Sequence, residues 1–81
     1  MLRVYIKSIA DVRKIMKITR QFEKPVRLKD THGITANAKS LMSIFILDTR
    51  YPVIMLCDED VLIEIIDLII DEAIQFEYIE K

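Results

Sequence analysis

Asp58-Glu59-Asp60-Val61-Leu62-Ile63-Glu64-Ile65-Ile66-Asp67-Leu68-Ile69-Ile70-Asp71-Glu72-Ala73-Ile74-Gln75-Phe76 is the stretch that decides how this 81-residue chain folds. Its three leading acids supply a cap and first-turn charges that suit the positive end of a helix dipole. From Val61 to about Phe76, Leu62, Ile65, Ile66, Ile69, Ile70, Ala73 and Phe76 share a broad apolar face at helical spacing. Asp60, Glu64, Asp67 and Asp71 line the opposite face. A helix this rich in isoleucine predicts a sheet for it to lie on.

The strands of that sheet are read by working outward. Tyr51 to Cys57 is the strand that feeds the helix, with Pro52 tolerable at its start. Leu2-Arg3-Val4-Tyr5-Ile6-Lys7 alternates, placing Leu2, Val4 and Ile6 on one face and Arg3, Tyr5 and Lys7 on the other. Ser8-Ile9-Ala10-Asp11 then fits a loose capping box. Through Phe22, Val12, Ile15, Met16, Thr19 and Phe22 form one helical stripe opposite Arg13, Lys14, Lys17 and Arg20. Pro25 marks the end of this helix. Val26-Arg27-Leu28-Lys29 and Ile34-Thr35-Ala36-Asn37 pair as a hairpin across the turn Asp30-Thr31-His32-Gly33, whose glycine can take positive φ. Lys39 to Leu47 is ambiguous between strand and helix, and Ser40 can cap a short helix there. The predicted order is β-α-β-β-α-β-α over a single domain, residues 1–81. That is an α+β, two-layer, open-faced β-sandwich, with a four-stranded, mainly antiparallel sheet and the helices on one face.

Composition narrows the class. Hydrophobic residues make up 52% of the chain and charged ones 31%, which reads as a folded cytoplasmic domain rather than a disordered chain. The lone Cys57 excludes an internal disulfide, and one Cys with one His cannot close a zinc site. No apolar run approaches the roughly 18 residues of a membrane span, and Met1-Leu2-Arg3-Val4 does not read as a secretory signal. Neither a cofactor motif nor a nucleotide motif is visible. Residues 1–50 carry eleven Lys/Arg against four acids, a balance of +7, whereas 51–81 carry one against nine, a balance of −8. Two accounts of this asymmetry stand: a charged docking surface, or two solvated helix faces that neutralise each other on folding.

With that element order, the stretch Asn37-Ala38-Lys39-Ser40-Leu41-Met42-Ser43 resembles the HPr family of the bacterial sugar phosphotransferase system. The family has a hairpin, then a Lys-Ser-Ile-Met-Gly-like segment that opens its short second helix. In these proteins a Gly-Ile/Leu-His-Ala-Arg-Pro loop ahead of the first helix carries the histidine that receives phosphate from enzyme I. Here the matching place is Lys7-Ser8-Ile9-Ala10-Asp11, which holds no His, no Arg at the family offset and no Pro. Ser8 cannot replace the imidazole, so the resemblance implies a member without carrier or enzymatic activity. In character it is closest to Crh, a relative that also lacks the histidine.

The resemblance further implies that Ser40 matches the serine modified by a dedicated kinase. A phosphate there would sit beside free N–H groups at a helix start, next to Lys39. The alternative is a plain N-cap serine, and Ser43 in place of the family glycine favours it. Leu41, Met42 and Phe45 match the apolar patch through which the family docks partners, with ordinary core packing as the alternative. Arg13, Lys14, Lys17 and Arg20 flank the same end, to meet an acidic partner or to be solvated. The function expected is therefore a regulatory protein-interaction module of the phosphotransferase type. Its alternative is a phosphocarrier with an atypical acceptor, for which His32 is the only histidine. Nucleic-acid binding through the basic helix is weakened by the absence of interleaved aromatics. In the strand 51–57, Val53, Met55 and Cys57 form one parity and Ile54 and Leu56 the other, so either register leaves aliphatics on the open face. That face is expected to self-associate, most simply as a homodimer.

Overall fold

In the computed structural model, which describes residues 1–79, the chain runs β1 (Leu2–Val4), α1 (Ile9–Thr19), β2 (Arg27–Lys29), β3 (Thr35–Asn37), α2 (Leu41–Ile44), β4 (Val53–Leu56), α3 (Glu59–Asp71) and β5 (Phe76–Tyr78). One open sheet takes the order β3-β2-β4-β1-β5, and every neighbouring pair is antiparallel. The strand before the last helix thus lies between the first and second strands. Alternation decides which side is covered. Ala36, Leu28, Met55 and Leu2 align across four strands and are buried, as are Val53 and Val4 one step along. The helices close over them with Val12, Ile15 and Ile18 from α1, Ile44 from α2, and Leu62, Ile65 and Ile69 from α3. This is a two-layer α+β fold.

The sheet has five strands, not four, because the last helix stops early. It ends at Asp71, with Glu72 as its C-cap, instead of running to Phe76. Ala73 turns left-handed at φ 58°, its N–H donates to the Ile70 carbonyl at 3.1 Å, and the Ile74 N–H donates to that of Ile69 at 3.2 Å. These two bonds make a Schellman ending, with alanine at the position that glycine usually fills. The chain then reverses and pairs Phe76, Glu77 and Tyr78 with Val4, Arg3 and Leu2, so β5 covers the β1 edge. Phe76 packs on the core as a strand residue, while Ala73 and Ile70 are exposed. The left-handed alanine gives a direct test. Ala73→Gly is expected to stabilise the fold by about 0.5 to 1 kcal/mol, read as a higher midpoint in urea. An unchanged or lower midpoint would show that the methyl group's own contacts outweigh its backbone strain.

The first helix is also shorter than its apolar stripe implies, ending at Thr19 rather than Phe22. Thr19 is fully buried, and its hydroxyl reaches the Ile15 carbonyl at 2.9 Å and that of Ala38 at 3.1 Å. This fixes the end of α1 against the segment leading into α2. Ile18, off the expected stripe, is buried, and Phe22 is half-buried. The ambiguous segment 39–47 is helical only over Leu41–Ile44, with Ser40 as its N-cap.

Candidate functional site

The β1–α1 loop, the β2–β3 turn and the segment leading into β4 all meet at one end of the sheet. This follows from the pairing: β1 and β2 both run antiparallel to β4, so their ends lie beside its beginning. Between the start of α1 and the end of α2 lies a depression of about 340 Å³, walled by Ile6, Lys7, Ser8, Ile9, Phe45 and Thr49 among others. Ser8 is the N-cap of α1 and accepts the Asp11 N–H at 3.4 Å, while Asp11 Oδ2 accepts the Lys7 N–H at 2.9 Å.

Around this depression the surface is apolar. Met42 (75% exposed) on α2 and Phe45 (52%) and Ile46 (63%) in the turn that ends it face outward, and Ile9 (55%) stands across the depression on α1. Met42, Phe45 and Ile46 are three and four residues apart, so they share one face of that turn. Leu41 points the other way and packs partly on the core. Of the three apolar residues singled out by the resemblance, two are surface and one is mostly structural. Ile9 and Ile46 were missed in the sequence, although signals existed. Ile9 lies off the buried stripe of its helix, and the run Ile44-Phe45-Ile46-Leu47 holds more apolar side chains than one short turn can turn inward. Ile44 and Leu47 take the buried positions.

Most of the basic residues expected to flank this surface are engaged within the chain. Lys14 Nζ donates to the Glu72 carbonyl at 3.1 Å, and Lys17 Nζ lies 3.5 Å from the Glu72 carboxylate. Both place positive charge at the C-terminal end of α3, where the helix dipole favours it. Arg20 Nε donates to the Lys39 carbonyl at 3.0 Å, and Lys39 Nζ donates to the Phe22 carbonyl. Lys39 therefore braces the end of α1 more than it faces solvent. Among the described residues, exposed Arg13 and Lys7 have no ion-pair partner. Arg13 follows Ile9 by one helical turn and so borders the apolar surface. Ser40 is half-buried, and its hydroxyl accepts the Ser43 N–H at 3.3 Å.

Beside this surface lies a polar cluster that the sequence did not disclose. Asp30 is buried, and its carboxylate accepts three backbone N–H groups: His32 at 2.9 Å, Ile34 at 3.0 Å and Asp48 at 3.0 Å. The Asp48 N–H, followed by those of Ile34 and His32, holds the Asp30 carboxyl below its ordinary value of 3.8. Asp48 in turn meets the Arg50 guanidinium twice at 2.9 Å and His32 Nε2 at 3.0 Å. Arg50 first, then His32, hold the Asp48 carboxyl well below the usual carboxylate range. His32 is thus joined to the loop that lines the depression. Cys57, at the far end of β4, is half-buried, and burial pushes its thiol up, so it is a poor nucleophile at neutral pH. No family model, curated protein or solved structure matches this chain.

Proposed function

We propose that this chain is an HPr-like regulatory module that binds proteins through the α1–α2 surface and carries no phosphate from enzyme I. The observation that carries this reading is the pairing of two features at one end of the sheet. A serine cap stands where a carrier needs an imidazole, and beside it four large apolar side chains are left uncovered. Met42 is suited to such a surface because its flexible thioether adapts to differing partners. Phe45, Ile46 and Ile9 supply rigid area, and Arg13 and Lys7 favour a partner with an acidic rim. The short helix opened by Ser40 and the place of β4 in the sheet further support the likeness.

Incubation with enzyme I and phosphoenolpyruvate is expected to leave the mass unchanged. A stoichiometric acid-labile phosphate would overturn the reading. An HPr-type kinase with ATP is expected to label the protein at Ser40, and Ser40→Ala is expected to abolish the label. That variant also loses its cap bond, at about 1 kcal/mol. Labelling that survives Ser40→Ala would place the site elsewhere.

One observation favours the carrier alternative. His32, the only histidine, has one ring nitrogen held by Asp48 beside Arg50, and carboxylate orientation of an imidazole is a known way to prepare its other nitrogen for chemistry. An acid-labile phosphate that disappears in His32→Gln would establish this second reading over the first.

A further inference from the structure

Two large surfaces have no partner within the chain, and their patterns are reciprocal. The first is the outer side of α3. Ile63 (64% exposed), half-buried Ile66 and Ile70 (57%) follow one another at three and four residues and make an isoleucine ridge. Asp60, Glu64, Asp67 and Asp71 make a parallel acidic ridge about 100° round the helix. Only Asp60 in that ridge has an ion-pair partner among the described residues, Lys24 at 2.8 Å.

The second surface is the open side of the sheet. Ile54 and Leu56 of β4 are half-buried there, and the same parity brings up Met1 and Ile79, whose backbones pair at 2.9 Å. Next to this apolar row, β2 presents exposed Lys29 opposite Ile54 and exposed Arg27 opposite Leu56. Neither cation has an ion-pair partner among the described residues. On the other side, Arg3 and Tyr5 are held by Glu77, at 2.9 Å and 2.7 Å. One surface is a row of isoleucines beside a row of acids, and the other is a row of aliphatics beside a row of bases.

We infer that α3 of one copy docks on the open sheet of a second copy, its isoleucine ridge on Ile54 and Leu56 and its acidic ridge over Arg27 and Lys29. A helix laid along an uncovered antiparallel sheet repeats the packing that the other side of the same sheet already uses. Charge complementarity sets the register, and like charges disfavour helix-to-helix or sheet-to-sheet contact. The contact is heterologous. Its two halves lie on opposite faces of a two-layer molecule, so each added copy leaves one face free for the next and the assembly grows as an open stack. This inference does not rest on the α1–α2 surface, and its failure would leave the proposed function standing.

Sedimentation of the wild-type protein is expected to show a mean mass that climbs steadily with concentration and falls on addition of salt. Glu64→Lys with Asp67→Lys, and separately Arg27→Glu with Lys29→Glu, are each expected to weaken association at least tenfold. Unchanged thermal melts of these surface variants confirm that the fold is kept. An equimolar mixture of the two variants is expected to associate again, since each supplies the face that the other lacks. A wild-type protein monomeric at high micromolar concentration would overturn the inference. So would full association of the Arg27→Glu, Lys29→Glu protein. A helix variant that still forms a discrete dimer would instead establish a symmetric sheet-to-sheet contact.

Discussion

Ile65→Ala is expected to lower the unfolding free energy by about 3 to 4 kcal/mol, a large part of the roughly 4 to 12 kcal/mol available to a domain of this length. Ile65 has no solvent exposure and belongs to the single core to which the sheet, α1 and α3 all contribute buried side chains. Truncation leaves a cavity that the sheet cannot fill without distorting its own register. Ile63→Ala, on the outer side of the same helix, is expected to stay within about 0.5 kcal/mol of wild type. Urea denaturation of the pair isolates burial from helix propensity, because both replacements are the same. Similar losses at the two positions would mean that α3 is rotated from the placement described.

Asp30→Ala is expected to have the largest effect of any polar substitution, lowering Tm by on the order of 10 °C. The change strands the N–H groups of His32, Ile34 and Asp48 together, and two chain segments lose their common anchor. Asp30→Asn keeps one oxygen and is expected to fall between. The pH dependence follows from the same bonds. Asp30 and Asp48 both have carboxyls held below 3.8 in the folded protein, so the unfolded chain binds protons first as pH falls. Their stabilisation is complete above about pH 5 and is lost as the pH drops through 4 toward their folded values. In Asp30→Ala the acid limb of the stability profile is expected to flatten. An unaltered acid limb would assign acid sensitivity to Asp48 with Arg50, or to the Lys24–Asp60 and Arg3–Glu77 pairs, instead.

Strand identity was legible because alternation survives in short pieces: Leu2 and Val4, Leu28, and Ala36 are all buried as their parity requires. The end of α3 was not. Phe76 falls on the helical stripe with Ile69 and Ala73, and no Gly or Pro announces the stop. A single alanine in the left-handed region converts a continuing helix into a returning strand, and nothing in its type foretells that. Ile70 reads as core and is surface for another reason: it lies two turns beyond Ile63 on the outer face of α3. At the candidate site the resemblance pointed to Leu41, Met42 and Phe45 alike without telling surface from core, and Ile9 had to be seen across from them. The Asp30 anchor was hidden for a different reason. Asp30-Thr31-His32-Gly33 reads as an ordinary turn, and its decisive bond reaches the Asp48 N–H, 18 residues away. Contacts made by one carboxylate with distant backbone leave no periodic trace.

The position of β1 between β4 and β5 has a consequence for the time course of folding. Leu2 meets Met55 on one side and Tyr78 on the other, so β1 has no partner close to it in the chain. Among the described residues, only β2 and β3 pair across a short turn and can close within microseconds. Every other ladder must wait for a long loop to close, and such non-local pairing moves folding toward the millisecond-to-second range. Until β4 and β5 arrive, Leu2 and Val4 stay on an exposed apolar strand with two free edges. That interval is when the nascent chain is most open to capture by a chaperone or by another copy of itself.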